Sequence, residues 1–211
     1  MRNIRHWTPR YILDRSREKF YRASHPDTAW LTPAANAFLD SWLRKEDLGL
    51  EFGSGRSTLW FARRVGMLDS VEHQAGWHAR VSEMLAEAGL ENVRYHLHPR
   101  DADDNPGGSD YMRVAEGIAA QSLDFVLVDG IYREYCARAA LDKLKPGGIL
   151  VIDNVNLYLP CQSRCPNSVP KDGQPISPVW AEVYAVIRTW RTVWTSNGVS
   201  DTAIFIKPCA A

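Results

Sequence analysis

The stretch Leu48-Gly49-Leu50-Glu51-Phe52-Gly53-Ser54-Gly55-Arg56-Ser57-Thr58 decides the fold. It begins as an apolar run of strand length and continues, after two glycines, into a segment compatible with a helix. Gly53 and Gly55 can adopt positive φ, and they leave the backbone bare for a ligand to approach. Ser57 or Thr58 is the predicted N-cap, and the first amides of the helix would point outward at that ligand. The stretch therefore predicts a strand, a tight turn and a helix N-terminus that together bind a nucleotide-type molecule.

The position of Glu51, two residues before Gly53, narrows the choice of ligand. A dinucleotide fingerprint requires a third glycine where this chain has Thr58. An acid followed by G-x-G instead resembles motif I (E/D-x-G-x-G) of the class I S-adenosylmethionine (SAM)-dependent methyltransferases. A second predicted strand ends about twenty residues later at Glu72, where both families place the acid that accepts the ribose hydroxyls. The alternative is that Glu72 is only a surface acid after a strand.

The resemblance implies a role for each part of this segment. The turn at 53–55 would cradle the methionine part of SAM, Glu51 would orient its amino group, and Glu72 would hold the ribose. The complete predicted cofactor site consists of Glu51, Gly53, Ser54, Gly55, Ser57, Thr58, Glu72 and His73.

Strands and helices alternate from Leu48 to the end of the chain. The predicted strands are 48–52, 68–72, 92–97, 123–129 and 149–152, followed by a hairpin of 193–195 and 203–206 around Asn197-Gly198. The predicted helices are 59–65, 76–88, 111–120, 134–144 and 179–190, with loops at 98–110 and 155–178. Repeated βα units predict a parallel sheet with helices on both faces and ligands at the carboxyl ends of its strands. The terminal hairpin resembles the class I methyltransferase sheet, whose last strand inserts antiparallel.

We therefore predict an α/β fold with a seven-stranded, mostly parallel Rossmann-like sheet, an antiparallel C-terminal hairpin and helices on both faces. Residues 1–46 would form an N-terminal helical cap packed on the same domain, and residues 47–211 the SAM-binding methyltransferase domain. Within the cap, Thr32-Pro33 is typical of a helix start, and an apolar stripe follows it at helical spacing.

The first 22 residues contain seven Lys or Arg and two acids. The favoured interpretation is a solvated helix whose aromatic and apolar residues pack over the domain. Those residues are Trp7, Tyr11, Ile12, Phe20 and Tyr21. The alternatives are a lid over the substrate pocket and a basic surface for a partner.

Composition excludes several classes of protein. Lys plus Arg and Asp plus Glu each number 25, so the formal net charge is zero, which argues against a general nucleic-acid binder. No apolar stretch approaches the ~20 residues of a membrane span, and residues 1–7 lack the apolar core of a signal peptide. The four cysteines are too few for a disulfide framework in a chain of 211 residues. We therefore expect a cytoplasmic protein without a membrane span, and the sequence predicts no oligomeric state.

The fourth and fifth predicted strands end in Asp129 and in Asp153-Asn154. In an alternating α/β sheet these ends lie side by side, next to the glycine turn, and their three oxygen ligands would suit Mg²⁺ or Ca²⁺. The arrangement resembles the metal site of the cation-dependent O-methyltransferases. Those families have a lysine base three residues after the first Asp, whereas this chain has Tyr132 there, with Arg133 beside it.

The mechanism stays open at this point. A divalent ion held by Asp129, Asp153 and Asn154 would lower the pKa of an acceptor hydroxyl. Asp129 or His73 would otherwise serve as a base without metal. A third interpretation is that the two aspartates only cap helices or bind loop amides. The predicted catalytic residues are Asp129, Tyr132, Asp153 and Asn154. The candidate metal ligands are Asp129, Asp153 and Asn154.

The cysteine and histidine pairs are candidate metal ligands, and one long loop is a candidate substrate-binding segment. Cys161 and Cys165 are spaced C-x-x-x-C, but a zinc site usually needs four ligands and no second Cys or His pair is nearby. The pair His96 and His98 is more typical of a structural role. The loop 155–178 has no periodicity and adjoins the predicted active site, which favours a substrate-binding loop.

The sequence thus predicts SAM-dependent methyl transfer to a small-molecule or peptide acceptor, with oxygen slightly favoured over nitrogen. SAM is the predicted cofactor, and Mg²⁺ is a candidate second one. The alternatives are a nicotinamide-dependent oxidoreductase and a non-catalytic partner subunit with the methyltransferase fold.

Overall fold

The computed structural model describes residues 7–100 and 105–209. Residues 1–6 of the predicted cap, 101–104 of the predicted loop and the last two residues lie outside this range. The described helices are α1 Pro9–Ser24, α2 Pro33–Trp42, α3 Arg56–Ala62, α4 Ala75–Glu87, α5 Asp110–Arg113, α6 Arg133–Lys143 and α7 Pro178–Ile187. The described strands are β1 Leu48–Phe52, β2 Met67–Glu72, β3 Val93–Leu97, β4 Leu123–Val128, β5 Leu144–Asp153, β6 Arg191–Ser196 and β7 Asp201–Ile206. None of the helices in this part of the chain combines the length and the apolar composition of a membrane span.

Among the described residues, seven strands form one sheet in the order β3-β2-β1-β4-β5-β7-β6. The pairs among β1 to β5 are parallel, whereas β7 runs antiparallel to both β5 and β6. The predicted α/β fold with an antiparallel C-terminal hairpin is therefore confirmed. The carboxyl ends of β1, β2, β4 and β5 lie along one edge of the sheet, which we call the carboxyl edge. The beginning of β7 lies at the same edge, because Asp153 pairs with Thr202.

Apolar layers cover both faces of the sheet. On one face Phe52 and Val128 pack with Trp180 of α7, in a layer that also includes residues of α5 and α6. On the other face Phe125 packs with Phe61 of α3, in a layer that includes α2. Successive strand residues point to opposite faces, so a strand covered on both sides is apolar throughout, as β4 nearly is. Burial of each such side chain contributes about 1.5–3 kcal/mol.

Several element boundaries differ from the prediction, among them those of α3, α5 and β5. α3 begins at Arg56 with Gly55 as N-cap, because the Thr58 hydroxyl accepts a hydrogen bond from Gly55 N (2.9 Å) as the third helical residue. The helix predicted for 111–120 ends at Arg113 and continues as turns. β5 begins well before 149, because Gly147 N donates to Lys207 O (2.9 Å) and extends the pairing beside β7.

α1 contradicts part of the predicted cap. Ile12 and Phe20 are exposed to 47% and 76%, so these two residues do not pack over the domain, and Trp7 is 59% exposed. The less exposed side of α1 is instead mainly polar. It consists of Tyr11, Asp14, Glu18, Tyr21 and Arg22.

Ion pairs explain how α1 can turn an acid inward. The buried Glu18 is bound by Arg15 (2.6 Å) and Arg22 (2.7 Å), so its carboxylate is compensated within the helix. Asp14 lies against Gly198 in the turn between β6 and β7. α1 therefore contacts the domain mainly through polar groups at the carboxyl edge.

Candidate active site

The glycine turn joins β1 to α3 at the carboxyl edge. Gly53 has a φ of +96°, and a Cβ at this position would lie 2.5 Å from the backbone of Gly130. Gly53 N donates to Val71 O in β2 (3.0 Å), and Asp129 N donates to Phe52 O (2.9 Å). The turn is thus fixed between the ends of β2 and β4, and glycine is required both for the positive φ and for backbone packing.

Glu51 lies behind this turn and is fully buried. Its Oε2 accepts hydrogen bonds from Thr58 Oγ1 (2.5 Å) and Ser70 Oγ (2.7 Å), whereas Oε1 has no hydrogen-bond partner among the described residues. Burial raises the pKa of Glu51 to about 7, although the nearby hydroxyls of Ser57, Thr58 and Ser70 lower it. A buried carboxylate oxygen without a donor is costly, so this atom indicates a place for a donor from outside the chain.

Glu72 ends β2 beside the same turn, and it is buried, which removes the surface-acid alternative. Ser54 donates to Glu72 Oε2 through its hydroxyl (2.8 Å) and its amide (3.3 Å). The amides of His73 and Gln74 donate to Oε1 at 2.8 and 2.9 Å. The predicted ribose acid therefore faces the glycine turn, and donors of its own chain already bind both of its oxygens.

Three side chains that support the turn belong to no sequence motif and were not predicted from the sequence. Tyr95 OH lies 2.5 Å from Ser54 Oγ, and Trp77 Nε1 donates to Ser54 O (2.8 Å). Ser70, which binds Glu51, is paired in register with both Glu51 and Tyr95 across β1, β2 and β3. These contacts depend on strand register, and the sequence alone does not provide that register.

At the end of β4, Arg133 in the first turn of α6 binds Asp129. Its Nη2 donates to the carboxylate and to the carbonyl of Asp129, both at 2.7 Å, and its Nε donates to Gly130 O (3.0 Å). Its Nη1 donates to Asp153 O (2.6 Å) and to Asn154 Oδ1 (3.3 Å). The side chains of Arg133 and Asp129 are only 15% and 27% exposed. One guanidinium therefore ties the ends of β4 and β5 together.

This arrangement does not fit the predicted metal site. Arg133 already binds Asp129 Oδ1 and Asn154 Oδ1, and its positive charge beside them disfavours a divalent ion at this position. The Asp153 carboxylate accepts a hydrogen bond from Thr202 Oγ1 (2.7 Å), and burial and the charge of Asp129 raise its pKa to about 7. Across residues 7–100 and 105–209, no three His, Cys, Asp or Glu side chains come together as a potential metal site.

Tyr132, another predicted catalytic residue, adopts a φ of +51°, which is rare for a bulky side chain. Its ring meets Tyr111 edge-on with 6.3 Å between centroids, and Tyr111 meets His73 in the same way at 6.3 Å. The hydroxyls of both tyrosines are buried and lack hydrogen-bond partners among the described residues. Burial raises the pKa of Tyr111 well above its usual value. Strained backbone and unpaired buried hydroxyls are features of functional sites.

The cysteine and histidine pairs bind other groups. Cys165 Sγ donates to Asp201 Oδ1 (3.0 Å), and Cys161 Sγ donates to a backbone carbonyl (3.5 Å). His96 Nε2 lies 3.3 Å from Asp69 Oδ1. These contacts agree with structural roles, as expected for His96.

The loop 155–178 packs against the terminal hairpin at the carboxyl edge. Asn156 Oδ1 accepts a hydrogen bond from Asp201 N (3.2 Å), which anchors the start of the loop to β7. A cavity of about 750 Å³ lies between this loop, α1 and the turn after β6. Its lining includes Arg10, Arg17 and Arg164. The loop predicted to bind the substrate therefore borders a polar, arginine-containing cavity.

The sheet order, the antiparallel last strand and the acid behind the glycine turn define a class I SAM-dependent methyltransferase. A family model described as "Methyltransferase domain" matches residues 50–155, half of the chain. The chain belongs to this family. The predicted class of enzyme and its SAM cofactor are thus confirmed, in preference to a nicotinamide-dependent oxidoreductase. No curated protein matches the sequence.

Solved structures share the fold at low identity. A Streptococcus mutans protein assigned as a methyltransferase and solved with SAH has a TM-score of 0.56 and 12% identity, over 82% of this chain and 96% of that one. An rRNA methylase from Streptococcus thermophilus has a TM-score of 0.54 and 14% identity, over 84% and 95%. A SAM-dependent O-methyltransferase from Thermotoga maritima has a TM-score of 0.51 and 14% identity, over 86% and 67%. Such distant likeness defines the fold and leaves the acceptor undefined.

Proposed function

We propose that this chain transfers the methyl group of SAM to an oxygen atom of a small molecule or a peptide, without a divalent cation. The observation that carries the proposal is the contrast along one edge of the sheet. One buried oxygen of Glu51 has no donor in the described part of the chain, whereas the carboxylate of the neighbouring Asp129 is bound by Arg133.

The residues around the turn fit the cofactor. Glu51 Oε1 would accept a hydrogen bond from the amino group of the methionine part, next to the backbone of Gly53 and Gly55. Glu72 would bind the ribose hydroxyls once the Ser54 hydroxyl, which now donates to it at 2.8 Å, gives up one oxygen. Ser57, Thr58 and His73 complete the proposed cofactor site, and the buried hydroxyls of Tyr111 and Tyr132 are available as donors beside it.

The proposed chemistry needs little more than placement and a base. SAM supplies, when bound, a methyl group that its sulfonium already activates. Asp129 precedes Gly130, whose backbone touches Gly53, so its carboxylate adjoins the cofactor turn. Burial raises the pKa of Asp129, while the charge and hydrogen bond of Arg133 lower it. Asp129 would accept the proton of the acceptor hydroxyl, and Arg133 would hold the carboxylate in place.

The acceptor would bind in the cavity bordered by the loop 155–178 and extend from it to Asp129, which does not itself line that cavity. Its size suits a small molecule or a peptide side chain. The formal net charge of zero does not favour a nucleic acid, although the structural neighbours include proteins described as rRNA and tRNA methylases. A hydroxyl acceptor is favoured over an amine because a carboxylate base stands at the site.

Calorimetry tests the cofactor, and an acceptor screen tests the reaction. SAM and SAH should bind to the wild-type protein, whereas NADH should not. Formation of SAH should then be scored with phenols, amines, carboxylates, peptides and RNA as separate acceptor sets. Turnover confined to amines or to RNA would overturn the proposed acceptor class, and binding of NADH alone would overturn the cofactor site.

A further inference from the structure

α1 presents an apolar surface to solvent. Ile12, Leu13, Ser16 and Phe20 lie on one side of the helix, at relative positions i, i+1, i+4 and i+8. Ile12, Leu13 and Phe20 are exposed to 47%, 59% and 76%. We call these four residues the outer face of α1. Large apolar side chains grouped on one side of a helix indicate a contact surface, whereas single exposed ones need no explanation.

The charges of α1 are sorted between its two sides. The exposed charged residues of the helix, which is described in full, are all cations, namely Arg10, Arg15, Arg17 and Lys19. Both acids face the domain, because the Asp14 and Glu18 side chains are only 14% and 5% exposed. Arg10 and Arg17 pair with Asp14 (3.6 and 3.5 Å) and Arg15 pairs with Glu18 (2.6 Å), whereas Lys19 has no ion pair among the described residues. These four cations form the cationic rim of the outer face, which has no exposed acid. With five basic residues against two acids, α1 keeps a net charge of +3.

An apolar groove adjoins the outer face. It has a volume of about 560 Å³ and is lined by Leu13, Phe20 and Tyr21 on the helix side. Ala29 and Leu31 line it opposite, on the segment that precedes α2. Arg17, Glu18, Arg22 and His25 also line the groove, but its accessible surface is mainly apolar and suits an aliphatic chain.

We propose that the outer face of α1 docks on an anionic lipid surface. Ile12, Leu13 and Phe20 would enter the boundary between headgroups and acyl chains, and the cationic rim would pair with lipid phosphates. The groove would receive part of an acyl chain. Arg10 and Arg17 of the rim also line the cavity proposed for the acceptor, but the proposal does not depend on the cofactor site or on which acceptor is methylated.

The charge pattern favours a lipid surface over two other occupants. In a two-fold contact with a second copy, the cationic rim would face itself with no exposed acid of α1 to offset it. A nucleic acid would match the rim, but its phosphates gain nothing from the apolar centre of the face. An anionic bilayer matches both parts, since it combines surface phosphates with an apolar interior.

Sedimentation with vesicles tests the proposal. In about 0.1 M salt, the wild-type protein should pellet with vesicles of equal parts phosphatidylcholine and phosphatidylglycerol, and not with pure phosphatidylcholine. The double variant Leu13→Ser, Phe20→Ser should lose about tenfold or more in partitioning, because apolar insertion contributes most of the binding. Lys19→Glu should lose several-fold, and added salt should weaken wild-type binding.

A matched control distinguishes binding through the outer face of α1 from nonspecific binding of any exposed apolar residue to vesicles. Ile176 and Val186 are exposed to 57% and 43% outside α1, so the double variant Ile176→Ser, Val186→Ser should pellet like the wild type. Circular dichroism and SAM titration should be unchanged in both double variants. The proposal is overturned if the wild-type protein does not pellet with anionic vesicles, or if the two double variants pellet to the same extent. It is also overturned if Leu13→Ser, Phe20→Ser abolishes dimerisation in light scattering, or binding of a short single-stranded RNA, in place of vesicle binding.

Discussion

The carboxyl edge of the sheet has two halves whose acids are held differently. At the ends of β1 and β2, Glu51 and Glu72 accept hydrogen bonds from neutral hydroxyls and amides, and one Glu51 oxygen has no donor among the described residues. At the ends of β4 and β5, Arg133 binds Asp129 and reaches Asn154. In the first half His73 Nδ1 lies 2.9 Å from Glu72 Oε1, but no Arg or Lys among the described residues binds Glu51 or Glu72, whereas the second half contains the guanidinium of Arg133.

This difference determines what each half can bind. A carboxylate without a charged partner attracts a ligand cation, such as an ammonium group, and that attraction is strong where water is excluded. A carboxylate already bound to a guanidinium does not need a metal ion and has fewer free oxygens for one. This difference supports the proposal that the first half binds the cofactor and the second carries the acceptor chemistry.

The largest effect should come from removing the proposed base. Asp129→Asn keeps an oxygen that Arg133 can bind, so the fold should persist, whereas the group that accepts the proton is lost. We expect kcat to fall by about 10²–10⁴ with SAM affinity little changed. The change in kcat should be measured with the first acceptor found in the screen, and the SAM affinity of the same variant by calorimetry.

Two controls sharpen that result. Asp153→Asn, at a carboxylate bound by Thr202, should reduce turnover far less than Asp129→Asn. Chelation with EDTA should leave wild-type turnover unchanged, because Arg133 takes the place of the predicted ion. Near-wild-type turnover by Asp129→Asn would remove Asp129 from the mechanism, and activity restored only by Mg²⁺ would reinstate the metal site.

Removal of the Arg133 guanidinium should mainly affect the stability of the fold. Arg133→Ala leaves the Asp129 carboxylate without its charged partner and frees the carbonyls at the ends of β4 and β5. We expect the free energy of unfolding to fall by about 3–5 kcal/mol in urea titrations. Arg138→Ala removes an exposed arginine of the same helix that pairs with Glu182 (3.2 Å), and it should cost less than about 1 kcal/mol. Equal losses in the two variants would contradict the special role of Arg133.

The two halves also differ in how far the sequence predicts them. Glu51, the glycine turn and Thr58 lie close together in the chain, so local turn chemistry is enough to predict the cofactor half. Arg133 follows Asp129 by four residues, but its direction depends on the positive φ of Tyr132, which no residue preference predicts. The sequence therefore suggested a metal among the acids where the structure places a guanidinium.

Other differences arise from contacts between distant segments. The sequence explains Gly53 by the approach of a ligand. The structure gives a second reason, because a side chain at this position would collide with the backbone of Gly130, which follows a different strand. The helical character of α1 is evident from the sequence, whereas its orientation is not. Glu18 can face inward because Arg15 and Arg22 compensate it, and that pairing outweighs the usual preference for burying Phe20.

Glu51→Gln should affect the cofactor half alone. Glutamine retains the size of the side chain but cannot attract an ammonium group by charge. We expect SAM binding to weaken by about 1.5–3 kcal/mol, the range for losing a hydrogen bond to a charged group. Glu87→Gln, at an exposed position of α4, is the matched control and should bind SAM like the wild type. An unchanged SAM affinity in Glu51→Gln would show that the buried oxygen faces no part of the cofactor.

The pH dependence of SAM binding should give the smallest effect. The pKa of Glu51 is raised to about 7, so below this pH the carboxyl group of the free protein is mostly protonated. Binding of an ammonium group favours the ionised form, and SAM must therefore displace a proton. Affinity should rise by up to about tenfold per pH unit as the pH approaches 7 from below, and then level off.

Calorimetry in buffers of different ionisation enthalpy should detect the released proton directly. The pKa of Asp153 is also raised to about 7, so Asp153→Asn is the necessary control. If Glu51 is the group that titrates, Asp153→Asn should retain the pH dependence and Glu51→Gln should abolish it. The opposite pattern would place the titrating group in the acceptor half, next to Asp129, and would remove the distinction between the two halves on which the proposed mechanism depends.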